Sequence, residues 1–191
     1  MIVMRRLLLA ALVAGTAAAP LTPAGAEVYD NTVLGIYLAT PDDFSISRTV
    51  REGYDLALHI NPTGSYPGRV EGETRLCGLY FKAAPSPETQ QWLNSRWTDE
   101  ATLAQVRRLF DRVMEVKSAE TFVLRDGKNG DDVVGIEFVG PSRLGPSAVV
   151  MTSLVNTTRG QLQMSCLLRS DQAAKAVWAL RAIRETLRPP K

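Results

Sequence analysis

Few residues in this chain have side chains suited to chemistry. There is one histidine, His59, and there are two cysteines, Cys77 and Cys166. A single histidine excludes multi-histidine metal sites and H-E-x-x-H zinc chemistry. A Ser-His-Asp triad would have to use His59, and no G-x-S-x-G elbow supplies its serine. In YDLALHI (54–60), Tyr54, Leu56, Leu58 and Ile60 alternate with Asp55, Ala57 and His59. That pattern makes a half-buried strand and puts His59 on its outward face, as a surface residue. No G-x-x-x-x-G-K-[ST] or G-x-G-x-x-G loop is present to cradle phosphates. DGKNGDD (126–132) is calcium-loop-like, but Lys128 stands where an oxygen ligand is needed and no glutamate closes the loop. A hairpin turn accounts for it, and no metal or cofactor is expected. The paired acids Asp42-Asp43 and Asp99-Glu100 fall at a turn and a helix start, where capping explains them without acid–base catalysis.

The compartment decides how the cysteines are read. Arg5 and Arg6 precede the apolar run LLLAALVAG (7–15), and a small-residue stretch ends Ala24-Gly25-Ala26. This is the pattern of a secretory signal cleaved after Ala26, with an apolar run too short to span a bilayer comfortably. The expected product is a periplasmic or secreted bacterial protein, soluble and uninserted, with residues 27–191 forming one domain. The chain has 22 Lys+Arg against 20 Asp+Glu, and Arg5 and Arg6 leave with the signal. A balanced domain lacks the basic surface that nucleic acid requires.

Export permits a disulfide. In TRLCGLYFK (74–82), Cys77 is in phase with Leu79 and Phe81; in QLQMSCLLR (161–169), Cys166 is in phase with Leu162, Met164 and Leu168. Both thiols then face the core, and neighbouring strands would let them bond. Two separately buried free thiols are the alternative. A redox pair is not indicated, since there is no C-x-x-C and neither thiol has an activating partner.

The elements that position these residues follow from periodicity. A short strand is expected around 33–38, then a weak strand or ordered loop over 44–51. Next come the His59 strand, a Pro- and Gly-rich loop over 61–72, and the Cys77 strand. Ser86-Pro87-Glu88 reads as a helix start, with the helix running to about 96 and a second start at Thr98-Asp99-Glu100 continuing to about 116. ETFVLR (120–125) and DVVGIEFV (132–139) form a hairpin, with Val134, Ile136 and Phe138 inward and Glu137 outward. AVVMTSLV (148–155) is apolar on both faces, as in a central strand. The terminal helix takes Asp171 or Ser170 as N-cap and buries a stripe of Ala173, Ala176, Val177, Leu180, Ile183 and Leu187. The fold class is therefore α+β: an antiparallel sheet of about six to seven strands, packed by a middle helical segment and a C-terminal helix.

Against that frame, Trp178 is out of place. It falls opposite the terminal helix's apolar stripe, beside Arg181 and Glu185. A tryptophan there anchors a partner or packs under a loop. Trp178 and Arg181, with Tyr66 and Arg69 in the 61–72 loop, are the candidates for partner binding. Trp92 and Trp97 line a groove together or pack helix on helix.

The closing segment GQLQMSCLLRSDQAAKAVWALRAIRETLR (160–188), following three strands, a long helix, a hairpin and a further strand, resembles the end of the PsbP-like family of small exported α/β domains. The resemblance implies an antiparallel sheet packed with helices, in a binding or assembly accessory rather than an enzyme. It transfers no functional residue. The leading reading is a non-enzymatic exported module binding an unidentified protein or small ligand. The alternatives are a hydrolase-like enzyme using His59 or loop carboxylates, and a structural envelope protein.

Overall fold

The computed structural model of the chain describes residues 26–125 and 132–190. The expected leader, apart from Ala26, and residues 126–131, where a hairpin turn is expected, lie outside the described residues. The order is β1 Glu27–Asn31, β2 Ile36–Thr40, β3 Phe44–Thr49, β4 Leu56–Pro62, β5 Cys77–Ala83, α1 Gln90–Ser95, a 3-10 turn Arg96–Thr98, α2 Glu100–Phe110, β6 Ser118–Leu124, β7 Val133–Pro141, β8 Ala148–Thr157, β9 Gly160–Arg169 and α3 Ala173–Glu185. β1 and β2 form a separate hairpin; the other seven strands form one sheet in the order β3-β4-β5-β9-β8-β7-β6. Every pairing in the large sheet is antiparallel. The α+β class and its seven-stranded antiparallel sheet agree with the sequence reading.

Other elements pack on both faces of the sheet. On one, Leu79, Phe81, Met151, Met164 and Leu168 pack against Ala176, Leu180 and Ile183 of α3 and against Ile36 and Leu38 of β2. On the other, Ile136, Phe138, Val150 and Leu154 pack against Trp97 and Met114, with Val106 and Phe110 of α2 behind them. Each such side chain contributes about 1.5–3 kcal/mol on burial.

Five expectations are corrected. Residues 33–38 do not form one strand: Val33 sits exposed in the turn between β1 and β2. EVYDN is short and polar, so it carries no strand signal of its own; β2 pairs with it along its whole length. The middle helix does not start at Ser86. The Ser86 hydroxyl instead accepts from Glu88 N at 3.2 Å, and its own N–H donates to Thr158 O at 2.9 Å, so the N-cap is Thr89. α2 stops at Phe110 rather than near 116. Past it the chain is captured by the strand edge, Glu115 N donating to Pro141 O and Lys117 N to Val139 O, both at 2.9 Å. Gly140 permits this crossing, because a Cβ there would lie 1.8 Å from Glu115 O.

The other two concern charge. Asp171 does not cap α3. Its carboxylate pairs with Arg169 at 2.7 Å, the cap position is Gln172, and the Gln172 side chain accepts from Gly68 N at 2.8 Å. Glu137 does not face out, being 1% exposed on the α3 side of β7. Alternation correctly separated it from Ile136 and Phe138, but both faces of β7 are roofed, so leaving one core means entering the other.

The hairpin of β1 and β2 is tied to the end of α3. Tyr37 and Arg188 exchange backbone hydrogen bonds at 3.1 and 2.9 Å, and the Thr186 hydroxyl accepts from Ala39 N at 3.0 Å. Pro189 and Pro190, beyond that pairing, are buried.

Candidate functional site

The candidate site is a cleft of about 290 Å³ where the second half of α3 crosses β6 and β7. β6 and β7 pair so that Glu120 lies directly opposite Glu137. Like charges facing each other across a ladder destabilise it. Arg181 resolves the conflict by reaching between them: its Nε is 2.8 Å from Glu137 Oε1 and its Nη2 is 3.0 Å from Glu120 Oε2. Arg184, one turn along and 6% exposed, donates from Nη1 to Glu137 Oε2. Ser153 Oγ adds a hydrogen bond to the same oxygen at 3.3 Å. The Arg184 guanidinium also stacks 3.9 Å from the Phe122 ring centroid.

Burial opposes both arginine charges. For Arg181 the hydrogen bonds and proximity of Glu137, then Glu120, outweigh it and hold the pKa above the usual value. For Arg184 burial prevails and lowers the pKa, against the pull of Glu137. Both remain cations at neutral pH, since a guanidinium is not deprotonated in proteins under such conditions. The cluster is thus a paired set of charges that fastens α3 to the sheet, although Arg184 Nε is buried without a hydrogen-bond partner among the described residues.

Trp178 stands at the mouth of this cleft and is 75% exposed. Ala182 and Glu185 flank it on the helix. The cleft can therefore offer a flat aromatic face above charges that are already neutralised. Of the four residues singled out for partner binding, the structure brings Trp178 and Arg181 together. Tyr66 and Arg69 do not line this cleft. Tyr66 lies beside the start of α3, its ring centroid 4.9 Å from Lys175 Nζ, and its buried hydroxyl finds no partner among the described residues. Arg69 Nη1 donates to Thr74 O at 3.1 Å and holds its own loop. Trp92 and Trp97 do not share a groove: Trp97 is core, and Trp92 is exposed with Arg96 over its ring at 5.4 Å.

His59 is partly buried rather than fully on the surface. Burial, and then the Arg75 charge, push its pKa below the usual 6.5. Among the described residues no group of three or more His, Cys, Asp and Glu is placed to hold a metal ion. Cys77 and Cys166 sit directly opposite each other in β5 and β9, with their sulfurs 2.10 Å apart at disulfide distance. Their side chains belong to the core on the α3 side of the sheet.

Sequence reasoning missed Glu137, Arg184 and Phe122. A signal for two of them existed. Glu137 is the one acid inside an apolar strand, and Arg184 follows Leu180 by four residues, which places it on the buried stripe.

No protein-family model and no curated protein matches the sequence. Architecture is more informative. The solution structure of cyanobacterial PsbP (CyanoP) from Synechocystis sp. PCC 6803 matches with a TM-score of 0.52 at 12% identity. The match covers 90% of this chain and 96% of that one. The fold is PsbP-like. At that identity the PsbP likeness concerns topology: no side chain of the Trp178 cleft is assigned a role by it. Among the described residues no helix is long and apolar enough to cross a membrane.

Proposed function

We propose that the chain is an exported, non-enzymatic binding or accessory module that engages a protein partner through the cleft beneath Trp178. The observation that carries this reading is the exposed Trp178 ring over a floor where Glu120, Arg181, Glu137 and Arg184 pair with one another. A partner covering it gains the burial of an indole, with little unpaired charge to desolvate. The signal-like leader, the core-facing cysteine pair and the accessory roles implied by a PsbP-like fold support the exported, non-catalytic part.

The test is a photo-crosslinking amino acid at Ala182, beside Trp178, expressed at native level with its leader intact. One stoichiometric adduct is expected, and it should disappear in the Trp178→Ala background. A second probe at Trp92, on the other face of the sheet, should capture nothing at that stoichiometry. Adduct formation that is indifferent to Trp178→Ala overturns the reading. The hydrolase-like alternative uses His59 or loop carboxylates, and loss of cellular function in His59→Ala with Trp178→Ala fully functional would favour its histidine-based version.

A further inference from the structure

The α2 face of the sheet is only partly roofed. α1, the 3-10 turn and α2 lie over β7 and β8. Past the last turn of α2, towards β9 and β5, a second cleft of about 430 Å³ opens. That size suits a small ligand, for which sites run from about 300 to 1,000 Å³. Val150 and Leu167 contribute its apolar floor, and Leu109 and Leu144 stand at its wall, 69% and 80% exposed. The floor's polar pair, Thr152 and Ser165, satisfy each other at 3.0 Å. The floor is thus mainly apolar, and the exposed leucines extend that surface.

The rim differs. Arg51 and Arg75 both line it, and among the described residues neither has a carboxylate within ion-pair distance. Arg51 is nevertheless held in place. Its guanidinium carbon is 4.2 Å from the Tyr80 ring centroid and 5.1 Å from that of Tyr54. Cation–π contact with both rings keeps the guanidinium at the rim, and among the described residues its N–H donors make no ion pair. Tyr80 can lie flat enough to serve because residue 78 is glycine: a Cβ there would be 2.0 Å from the Tyr80 hydroxyl. Glu73 is the one carboxylate on the rim, so the two arginines leave a surplus of positive charge. His59, whose pKa is lowered by burial and then by Arg75, reports the same field.

We infer that this cleft binds an amphipathic anion, its apolar body on Val150 and Leu167 and its anionic head between Arg51 and Arg75. The preorganised guanidinium supplies paired donors for a carboxylate or sulfonate. Leu109 and Leu144 are positioned to close over the body. The site lies on the opposite face of the sheet from Trp178 and does not depend on the partner reading.

Titration calorimetry on the full domain tests it with two probes, decanoate and 8-anilinonaphthalene-1-sulfonate, and with decan-1-ol as uncharged control. At least one anion should bind saturably at one per chain. Arg75→Gln should weaken it about tenfold, the worth of one charged hydrogen bond. Leu144→Glu should weaken it as well, while Trp178→Ala leaves it unchanged. Decan-1-ol should be insensitive to Arg75→Gln. Arg51→Gln also loses a stack, so its thermal unfolding is checked first; Arg75→Gln makes no such change and keeps the test readable alone. Failure of both anions to bind saturably, binding undiminished by Arg75→Gln, or loss of binding in Trp178→Ala each overturns the inference.

Discussion

The two faces of the seven-stranded sheet are closed by different physics. α3 buries five of its residues and is fastened to β6 and β7 through Glu120, Arg181, Glu137 and Arg184. α2 buries no residue completely and meets its face through partly covered apolar side chains, with Phe110 and Phe138 ring centroids 5.4 Å apart. The α3 face also holds the cysteine pair. One face is locked; the other is covered in part and keeps an open cleft. Apolar contact is non-directional and tolerates a helix that slides or stops short. Buried charges do not tolerate this, because each displaced group would be left without its partner.

The largest expected effect breaks that lock. Glu137→Ala leaves Arg184 buried without its carboxylate and should cost about 3–5 kcal/mol. The paired replacement Glu137→Leu with Arg184→Leu should recover most of that loss, since an apolar pair fills the same space with no charge to desolvate. Urea unfolding midpoints measure both. If Glu137→Ala costs under about 1 kcal/mol, the cluster is not what holds α3. If the paired variant unfolds with unchanged midpoint but α3 amides exchange faster, the charges act on register rather than on stability.

The cysteines come next. Replacing both with alanine should cost about 2–4 kcal/mol, with the loss arising mainly from a freer unfolded chain over a separation of 89 residues. Intact mass of the protein prepared under oxidising conditions, with and without reductant, should differ by two hydrogens. Free thiols in oxidised protein would remove the link, and the α3 face would then be held by charge and packing alone.

The features that were legible in the sequence are those that repeat. Strand alternation put Cys77 and Cys166 on one side, and helical phase put Trp178 opposite Ala176, Leu180 and Ile183; the structure has both arrangements. What was illegible depended on a second element. Glu137 read as outward because nothing in DVVGIEFV announces that Arg181 and Arg184, more than forty residues later, will lie above it. Ser86 read as a cap because its composition is that of a cap; the competing acceptor, Thr158 O, comes from the turn between β8 and β9. The anion cleft was hidden for the same reason. Arg51, Arg75, Leu109, Leu144 and Val150 come from five separate segments, and only the fold makes them neighbours.

The smallest effect tests the open face. His59 has its pKa lowered, first by burial and then by Arg75. A histidine harder to protonate when folded than when unfolded makes the unfolded chain bind more protons in acid. Its contribution is therefore intact above the ordinary value near 6.5 and is lost as pH falls below it, towards the folded pKa. Carboxylates titrate in the same direction lower down, so the comparison must be with His59→Gln. The wild type should lose more stability than His59→Gln between about pH 7.5 and 5, by urea unfolding at each. Arg75→Gln should remove part of that difference and leave the part due to burial. A wild type that gains stability relative to His59→Gln on acidification would mean that an unseen acceptor outweighs the arginine. The open face would then lack the positive field on which the anion cleft depends.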